Sequence, residues 1–292
     1  MKPRFYIGLP GNEAMAARLA ALEGAETGLL NLHTFPDGET GLRFPGDVAE
    51  RDVVLVCTML QPNEKFLPLM FAALEARARG ARQVGLVAPY LAYMRQDTSF
   101  HPGEAVTSRA FAQLLSQNLD WLVTVDPHLH RIHALEEIYS IPAVAVHSGP
   151  ALTSWIGANV SSPFLIGPDE ESRQWVGAVA AACKAPFAVL HKNRAGDRQV
   201  SIDSIPAIPD GATPVLLDDI ISSGSTAAEV LRRLPPGSVP VVLAIHGVFA
   251  GGALNKVQGG ARIITTNSIP GPAAQIDIAP LIADAVRALG TR

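Results

Sequence analysis

The chain has 292 residues, of which 48% are hydrophobic and 17% are charged, with a net charge of -4 and a pI near 6.1. This length allows two domains of about 100 to 150 residues each, and the composition excludes an intrinsically disordered protein. The slight negative charge gives no attraction to nucleic acid or to an anionic membrane, so an anionic ligand needs local cations or a metal ion.

The cysteines and the N-terminal segment indicate a protein without a Cys-based metal centre and without a secretion signal. Cys57 and Cys183 follow apolar runs and lack metal-ligand spacing, so both are expected in the core. The N-terminal sequence MKPRF has no signal-peptide core, and no apolar stretch reaches about 18 residues. We therefore expect a cytoplasmic protein.

Short apolar runs rich in β-branched residues alternate with longer helical patterns along the chain. The runs predict strands at residues 5–7, 53–56, 84–87, 122–125, 164–166, 187–190, 215–217, 241–245 and 263–264. The intervening patterns predict helices at residues 12–22, 64–79, 108–115, 172–183, 226–234 and 280–289. This alternation predicts an α/β protein with mainly parallel sheets flanked by helices, whose ligand loops gather at the carboxyl ends of the strands.

A passage rich in proline and glycine, residues 141–150, predicts a domain boundary. Residues 1–145 would form one α/β domain and residues 146–292 a second, similar one, with the last helix packing back on the first. No repeat in the sequence is strong enough to establish a duplication.

Two polar segments in the first half are candidate ligand sites. TFPDGE at residues 34–39 places two acids around a glycine, although turn chemistry alone would make it a surface β-turn. PYLAYMRQD at residues 89–97 directly follows a predicted strand. Its last three residues are well placed to meet a phosphate or a base, but a solvated loop would have the same composition.

A third segment, VTVDPHLH at residues 123–130, ends a strand with Asp126 and His128. An acid and a histidine at such a position are typical of metal or phosphate binding. A lone histidine is more often structural, so it is the pairing of these two residues at a strand end that favours function.

The second half begins with two polar loops that each follow a predicted strand. IGPDEES at residues 166–172 places Asp169 at the start of a helix, where acids suit the helix dipole. HKNRAGDR at residues 191–198 is a basic run with a glycine, and such runs are usually solvated loops.

The strongest motif is VLLDDIISSGST at residues 215–226, which joins an apolar strand to a helix. Backbone N–H groups of a turn rich in Gly, Ser and Thr cradle phosphates, and adjacent carboxylates accept hydrogen bonds from ribose or hold a metal. A simple capping turn needs one hydroxyl and no pair of acids. The motif therefore predicts a phosphate site joined to a sugar site.

This motif resembles the phosphoribosyl pyrophosphate (PRPP) binding motif of type I phosphoribosyltransferases and of ribose-phosphate pyrophosphokinases. The first half distinguishes the two families, because the transferases have no counterpart to its ordered segments. Four segments resemble the signature of the pyrophosphokinases: FPDGE at 35–39, RQD at 95–97, PGE at 102–104 and VDPH at 125–128. The similarity continues to IDIAPL at 276–281 and spans nearly the whole chain.

The resemblance implies a type I phosphoribosyltransferase-like fold in both domains, with ATP bound by the first and ribose 5-phosphate by the second. The implied reaction transfers the β,γ-diphosphoryl group of MgATP to the C1 hydroxyl of ribose 5-phosphate, giving PRPP and AMP. The implied ATP-binding residues are Phe35, Asp37, Glu39, Arg95, Gln96 and His128. The implied ribose 5-phosphate-binding residues are Asp218 and Asp219 for the sugar, and Ser222, Ser223, Gly224, Ser225 and Thr226 for the phosphate.

The resemblance also implies catalytic residues, a cofactor and an assembly. Lys192 and Arg194 match a loop whose cations close over the transferring phosphoryl group. Mg²⁺ is the implied cofactor, with His128 and Asp169 as its ligands. The family's adenine site is shared between subunits, which implies a homo-oligomer, at least a dimer.

The sequence departs from the family pattern at two places. Glu170, Glu171 and Ser172 stand where many members have glycines, and two more carboxylates would repel a pyrophosphate unless they turn away or hold a cation. This departure indicates a divergent branch, nearer the archaeal-type enzymes. Ser222 stands where many members have an acid, although a hydroxyl there can still donate to a phosphate.

Three other functions stay open on the sequence. The first is a type I phosphoribosyltransferase that uses PRPP as substrate, against which the segments at 35–39 and 95–97 argue. The second is a non-catalytic homologue that regulates a synthetase, against which the retained Lys192 and Arg194 argue. The third is a nucleotide-binding α/β protein of unknown chemistry.

Overall fold

The computed structural model describes residues 3–99, 101–129, 131–190, 192–194, 200–202, 205, 207–235, 237–258 and 260–289. The chain forms two compact units: unit 1 is Met1–His147 with Ala279–Arg292, and unit 2 is Ser148–Ile278. The predicted boundary after residue 145 lies close to this division. The C-terminal segment, which the prediction assigned to the second domain, belongs to unit 1.

Strands and helices alternate through both units. The strands are β1 (Phe5–Gly8), β2 (Glu26–Leu29), β3 (Asn31–Thr34), β4 (Thr40–Arg43), β5 (Asp52–Val56), β6 (Gln83–Ala88), β7 (Trp121–Val125), β8 (Ala143–Val146), β9 (Pro163–Gly167), β10 (Phe187–Val189), β11 (Lys192–Arg194), β12 (Val200–Ile202), β13 (Thr213–Ile221), β14 (Val241–Gly247), β15 (Arg262–Thr266) and β16 (Ala274–Ile276). The helices are α1 (Glu13–Glu23), α2 (Pro62–Ala78), α3 (Thr107–Asn118), α4 (Gly149–Asn159), α5 (Arg173–Cys183), α6 (Ser225–Leu231), α7 (Ala253–Gln258) and α8 (Ala279–Leu289).

Unit 1 contains a six-stranded parallel sheet in the order β2-β1-β5-β6-β7-β8. The inner strands come from the predicted apolar runs, and β7 is buried along its whole length, as expected for a sheet covered on both faces. Helix α8 lies beside α1, β7 and β8. Its buried residues are Ala279, Ile282, Ala283 and Val286. The returning helix therefore completes the cover of the unit 1 sheet.

Unit 2 contains a second six-stranded parallel sheet, in the order β10-β9-β13-β14-β15-β16. Counted within each unit, both sheets have the same strand order, 2-1-3-4-5-6. Each unit also carries an antiparallel hairpin between its second and third sheet strands, β3–β4 in unit 1 and β11–β12 in unit 2. The predicted fold class, two similar α/β domains with parallel sheets and flanking helices, is confirmed.

Two elements differ from the sequence-based prediction. Helix α4 begins at Gly149, inside the passage predicted to be a linker, because Pro150 lies in its first turn, where a proline N–H is not needed. Strand β13 does not end at the acid pair but continues to Ile221, paired with β14 as far as Gly247. Within the described residues, no helix has the length and apolar character that crossing a bilayer requires.

Candidate active site

The segment after β13 forms a tight turn into α6. Gly224 has φ 71, and a Cβ at this position would lie 2.8 Å from a methyl group of Val257, so only glycine fits without strain. The Ser223 and Ser225 hydroxyl oxygens are 3.1 Å apart on the outside of the turn. The turn thus presents hydroxyls and the N–H groups of a helix start, which together suit a phosphate.

Asp218 and Asp219 lie inside β13, and two more strand residues, Ile220 and Ile221, separate them from the turn. Asp218 Oδ1 accepts the Asp219 N–H at 2.9 Å, and Asp219 Oδ1 accepts the Ile220 N–H at 2.7 Å. Burial raises the pKa of Asp218, and the carboxylates of Asp219 and Asp169 raise it further. The protein therefore holds three acids near one another at an energetic cost, which a cation or hydrogen-bond donors from a ligand would relieve.

Asp169 follows β9, the strand next to β13, and begins a short 3₁₀ turn of residues 170–172. Its Oδ1 accepts the Ser172 N–H at 3.3 Å, and the Ser172 hydroxyl donates to the Asp169 carbonyl at 2.6 Å. Ser172 is buried, and a Cβ on Gly167 would collide with its hydroxyl. This packing explains how a serine is accommodated where many family members have a glycine.

Glu170 and Glu171 are the two extra acids of this loop, and they would repel a pyrophosphate unless they turn away or hold a cation. For Glu170, the structure shows a cationic partner. The Glu170 carboxylate makes two hydrogen bonds with the Arg173 guanidinium, the second at 2.8 Å between Oε2 and Nη2. A neighbouring cation therefore neutralises Glu170. Glu171 is exposed to solvent.

Lys192 and Arg194 lie on β11, in the hairpin with β12, where they are opposite Ile202 and Val200. β12 lies beside α6, so the hairpin is adjacent to the helix that follows the phosphate turn. The rest of the predicted catalytic loop, His191 and residues 195–199, lies outside the described residues.

In unit 1, the segment with Phe35, Asp37 and Glu39 is the tip of the β3–β4 hairpin. The Phe35 N–H donates to the Glu39 carbonyl at 2.8 Å, and the Glu39 N–H donates to Asp37 Oδ1 at 3.1 Å. Gly38 has φ 90, and the whole tip is exposed. Phe35 itself is 45% exposed and makes an edge-to-face contact with His33. The segment is therefore an exposed β-turn, as its turn chemistry predicts.

The segment after β6 folds back on residues 101–108. Gln96 Nε2 donates to Glu104 Oε1 at 2.8 Å, and Thr107 donates to Gln96 Oε1 at 3.4 Å. Asp97 is buried and accepts from the Arg131 guanidinium at 2.9 Å. Arg95, in contrast, is exposed. The segment therefore has a fixed framework from which one cation extends.

His128 is half-buried in the segment that follows β7. Asp126 begins this segment with φ 33, an uncommon conformation for a residue other than glycine. Its carboxylate is 3.1 Å from Nδ1 of His147, at the end of β8, and this hydrogen bond raises the pKa of His147. Strain and a charged pair at a strand end are typical of functional sites.

The sequence pattern assigned no role to Glu104, Arg131 or His147. Glu104 contacts Gln96, which is a predicted ATP-binding residue. Arg131 contacts Asp97, and His147 contacts Asp126, which lie close in the chain to the predicted residues Gln96 and His128. Glu104 was visible in the family signature, and its contact with Gln96 gives it a positioning role. His147 follows the apolar run AVAV at 143–146, which is the strand β8. Recognising that run as a strand would have placed His147 beside Asp126.

The acids of unit 2 suit Mg²⁺, a hard cation that prefers carboxylate and phosphate oxygens. In the part of the chain that the structure describes, no group of three or more His, Cys, Asp or Glu side chains is arranged to hold a metal ion. Mg²⁺ commonly uses one or two carboxylates, with substrate phosphates and water completing its shell. One or two of these carboxylates therefore suit a Mg²⁺ ion whose remaining ligands come from a phosphate and from water.

Comparison with known proteins identifies the family. Residues 6–118 match the model of the N-terminal domain of ribose phosphate pyrophosphokinase, and residues 134–259 match the phosphoribosyl transferase domain. The chain is 34% identical to a ribose-phosphate pyrophosphokinase from Methanopyrus kandleri over 94% of this chain and 96% of the relative. It is 31% identical to that of Methanosarcina acetivorans over 97% of this chain and 99% of the relative.

A solved structure has the same fold. The crystal structure of phosphoribosylpyrophosphate synthetase from Mycobacterium smegmatis superimposes with a TM-score of 0.82, covers 99% of both chains and is 23% identical. The domain matches, the two curated relatives and the shared fold agree along nearly the full length. The chain therefore belongs to the ribose-phosphate pyrophosphokinase family.

Proposed function

We propose that this chain is a ribose-phosphate diphosphokinase, which transfers the β,γ-diphosphoryl group of MgATP to the C1 hydroxyl of ribose 5-phosphate. The C1 hydroxyl oxygen forms a bond to the β-phosphorus and releases its proton to water, while the bond from that phosphorus to the bridging oxygen breaks and this oxygen leaves with the α-phosphate, so the products are PRPP and AMP. One observation supports this most. Asp169, Asp218 and Asp219 lie near one another in unit 2, and the phosphate turn begins three residues after Asp219, where β13 ends.

Ribose 5-phosphate is proposed to bind along the end of β13. Asp218 and Asp219 would accept hydrogen bonds from the ribose hydroxyls, which would lower the repulsion between the two carboxylates. Ser222, Ser223, Gly224, Ser225 and Thr226 would bind the 5-phosphate through hydroxyl and backbone N–H groups. The left-handed Gly224 supports this assignment, because it turns the backbone N–H groups of the helix start toward one side.

ATP is proposed to bind to unit 1. The exposed hairpin tip with Phe35, Asp37 and Glu39 offers an aromatic ring for stacking and carboxylates for the adenine amino group. Arg95 would bind the phosphates, since it is exposed, while Gln96 is positioned by Glu104. His128 would contribute from the segment after β7.

Mg²⁺ is the proposed cofactor, with Asp169 as its ligand in unit 2 and His128 as its ligand in unit 1. When bound, it would neutralise part of the phosphate charge and orient the β-phosphate. The raised pKa of Asp218 beside Asp169 supports a cation in unit 2. Asp169 can serve in this way because its own loop is fixed by Ser172.

Lys192 and Arg194 are the proposed catalytic residues. Phosphoryl transfer depends on positioning and on stabilising the charge of the transferring group, and two cations on one strand supply the second requirement. The partner strand in their hairpin, β12, lies beside α6, the helix that follows the phosphate turn, which supports the assignment. No further general base is required, because the developing charge is stabilised by these cations.

A ³¹P NMR time course of the purified protein with MgATP and ribose 5-phosphate tests the reaction. We expect AMP and PRPP resonances to appear together and only when both substrates are present. Lys192→Ala serves as the control for a contaminating kinase. If ATP persists unchanged in the complete mixture, this reaction is excluded, and PRPP with a panel of bases would then test a transferase.

A homo-oligomer and a cytoplasmic location complete the proposal. Family members share the adenine site between subunits, so an isolated copy would bind ATP poorly. Sedimentation equilibrium would measure the assembly, and an active monomer would contradict it. Fractionation of the source cells would test the location, and recovery with membranes would contradict it.

A further inference from the structure

The β3–β4 hairpin of unit 1 has an inner face and an outer face. Leu32 of β3 is opposite Leu42 of β4, and both pack against the core of the unit. Because side chains alternate along a strand, the residues next to these leucines point away from the core. His33 and Gly41 are opposite each other, and Phe35 lies two positions after His33 on the same face. The outer face therefore carries the proposed adenine-stacking ring together with a histidine and a glycine.

The Phe35 ring lies over Gly41 of the opposite strand. A Cβ added at Gly41 would be 3.2 Å from Cε2 of this ring and 3.5 Å from its Cζ. Carbon atoms in contact are ordinarily about 3.5 to 4.0 Å apart, so a bulky side chain at this position would displace the ring. Diagonal neighbours on paired strands are within reach of an aromatic side chain, which explains how the ring spans the hairpin. Gly41 therefore leaves the space that the ring occupies.

The backbone itself does not require a glycine at position 41. Gly38 at the hairpin tip has φ 90, in the left-handed region that favours glycine. Gly41 instead lies within the strand β4, paired with β3, where side chains are normally accommodated. A glycine weakens a strand and often marks a place where another group approaches closely. Here the approaching group is the Phe35 ring, and an aromatic neighbour of this kind compensates for a glycine in a sheet.

His33 makes the second contact with the Phe35 ring. The ring centroids of His33 and Phe35 are 4.7 Å apart, and the ring planes are perpendicular, at 90°. This arrangement suits aromatic rings, whose edges are positive and whose faces are negative. Phe35 nevertheless stays 45% exposed. Two neighbours within the same hairpin thus hold the ring while a large part of its surface faces solvent.

We propose that His33 and Gly41 are positioning residues, which hold the Phe35 ring in the orientation that stacks on the base of a bound nucleotide. The inference rests on the proposed function of unit 1, in which the hairpin tip binds adenine. A side chain that is ordered only when the ligand binds lowers the affinity, because its conformational entropy is lost at that step. A ring that is already held avoids this loss. His33 and Gly41 therefore contribute to nucleotide affinity without contacting the nucleotide.

Isothermal titration calorimetry with MgATP tests the role of Gly41 through the variant Gly41→Val. The β-branched side chain displaces the Phe35 ring, so we expect the Kd for ATP to rise on the order of 10-fold, within the range for loss of base stacking. Gly46→Ala is the matched control, because a Cβ at Gly46 would lie 3.4 Å from the Phe5 ring, an ordinary contact. Its Kd for ATP should equal that of the wild type.

Two further measurements on Gly41→Val distinguish positioning from structural support. Valine favours strands more than glycine does, so the melting temperature should equal or exceed that of the wild type. A residue that only supported the hairpin would not combine an undiminished stability with weaker ATP binding. Magnesium tripolyphosphate has no base to stack on the ring. We therefore expect the variant and the wild type to bind it with the same Kd.

His33→Ala tests the perpendicular contact and leaves Gly41 unchanged. The Kd for ATP should rise about 2- to 10-fold, which corresponds to the loss of one aromatic pair. His33→Phe keeps an aromatic ring at this position and should restore the wild-type Kd. Adding His33→Ala to Gly41→Val should change the Kd little further, because both substitutions act on the same ring.

Two results would overturn this proposal while leaving the proposed function intact. One is a Gly41→Val variant that binds MgATP with the wild-type Kd. The other is a Gly41→Val variant that loses the same affinity for MgATP and for magnesium tripolyphosphate, which would place the effect on the phosphates and not on the base. A wild-type chain that binds no MgATP would instead contradict the proposed function, and the positioning roles would be wrong with it.

Discussion

Units 1 and 2 share one strand order and one inserted hairpin, but they differ at the point where the strand order reverses. In an open parallel sheet, ligands bind in the crevice at this point, beyond the carboxyl ends of the strands. The point lies between β1 and β5 in unit 1 and between β9 and β13 in unit 2. The same topology therefore provides two equivalent places for a ligand.

In unit 1, polar side chains at this reversal point form hydrogen bonds with the protein's own backbone. Asn12 is buried, and its Oδ1 accepts the Thr58 N–H at 2.7 Å, while its Nδ2 donates to the Leu9 carbonyl at 3.3 Å. Lys65 donates to the Thr58 carbonyl at 2.7 Å. The polar groups at the reversal point thus satisfy one another.

At the equivalent point, unit 2 instead brings acidic side chains close to one another. Asp169 follows the first strand and Asp218 lies on the third, and the pKa of Asp218 is raised first by burial and then by the carboxylates of Asp219 and Asp169. Such an arrangement costs stability unless a ligand or cation relieves it. The topology therefore gives each unit a possible ligand site at the point where the strand order reverses. A few side chains determine whether that site is filled by the protein's own polar groups or can bind a ligand.

The largest effect that would sharpen this comparison concerns Lys192 of unit 2, one of the two proposed catalytic cations. Lys192→Ala should lower kcat by about 10²- to 10⁴-fold, because a loop cation that acts in the transition state is lost. ATP affinity should change little, as calorimetry would measure. Lys184→Ala removes another lysine of unit 2 as the control, and an unchanged kcat for Lys192→Ala would exclude this residue from catalysis.

Asp218→Ala addresses the reversal point of unit 2 directly. The KM for ribose 5-phosphate should rise by about 10- to 100-fold, since the ribose hydroxyls lose the carboxylate that accepts their hydrogen bonds. The KM for ATP should stay the same. Initial-rate kinetics with each substrate varied in turn would measure both values. An equal rise in both would mean that Asp218 supports the structure and does not bind the sugar.

Asn12→Ala addresses the reversal point of unit 1. The free energy of unfolding should fall by about 2 kcal/mol, because the buried Thr58 N–H loses its acceptor. The KM for ribose 5-phosphate should not change. Asp218→Asn is the matched variant of unit 2, and by removing a repelled charge it should leave the stability in urea equal or higher. A loss of stability in Asp218→Asn would contradict the inference that the proximity of the acids in unit 2 costs stability.

The smallest expected effect concerns the Asp126–His147 pair. The folded-state pKa of His147 is raised, so its contribution to stability is present below about pH 6.5 and is lost as the pH rises through the folded-state pKa. The ring is largely exposed, so solvent screening limits this contribution to a few tenths of a kcal/mol. His147→Gln should flatten the pH dependence of the melting temperature, and a parallel pH profile would contradict the assignment.

The inner strands and most helices could be predicted because buried parallel strands require apolar residues. The edge strands β2, β8 and β16 were not predicted, since one side of an edge strand faces away from the sheet and its sequence is less distinctive, whereas the edge strand β10 was predicted from its apolar run. Strand β13 was predicted too short because Asp218 and Asp219 have low strand propensity. Pairing with β14 outweighs that propensity, and this pairing is known only from the fold.

The residue types of the candidate site were predictable, but their partners were not. The sequence motif contains Asp218 and Asp219 in order, whereas their coupling to Asp169 depends on the adjacency of β9 and β13. The contact between Asn12 and Thr58 joins residues 46 positions apart. Contacts at such separation follow from strand order, which a single sequence does not reveal.

The return of α8 to unit 1 has a consequence for synthesis on the ribosome. Unit 2 is complete once Ile278 has emerged, whereas unit 1 waits for the helix that follows it. Until then α1 lacks its neighbour, and Arg4 lacks the Val286 carbonyl to which it donates at 3.2 Å. The unit that is made first is therefore the last to be finished.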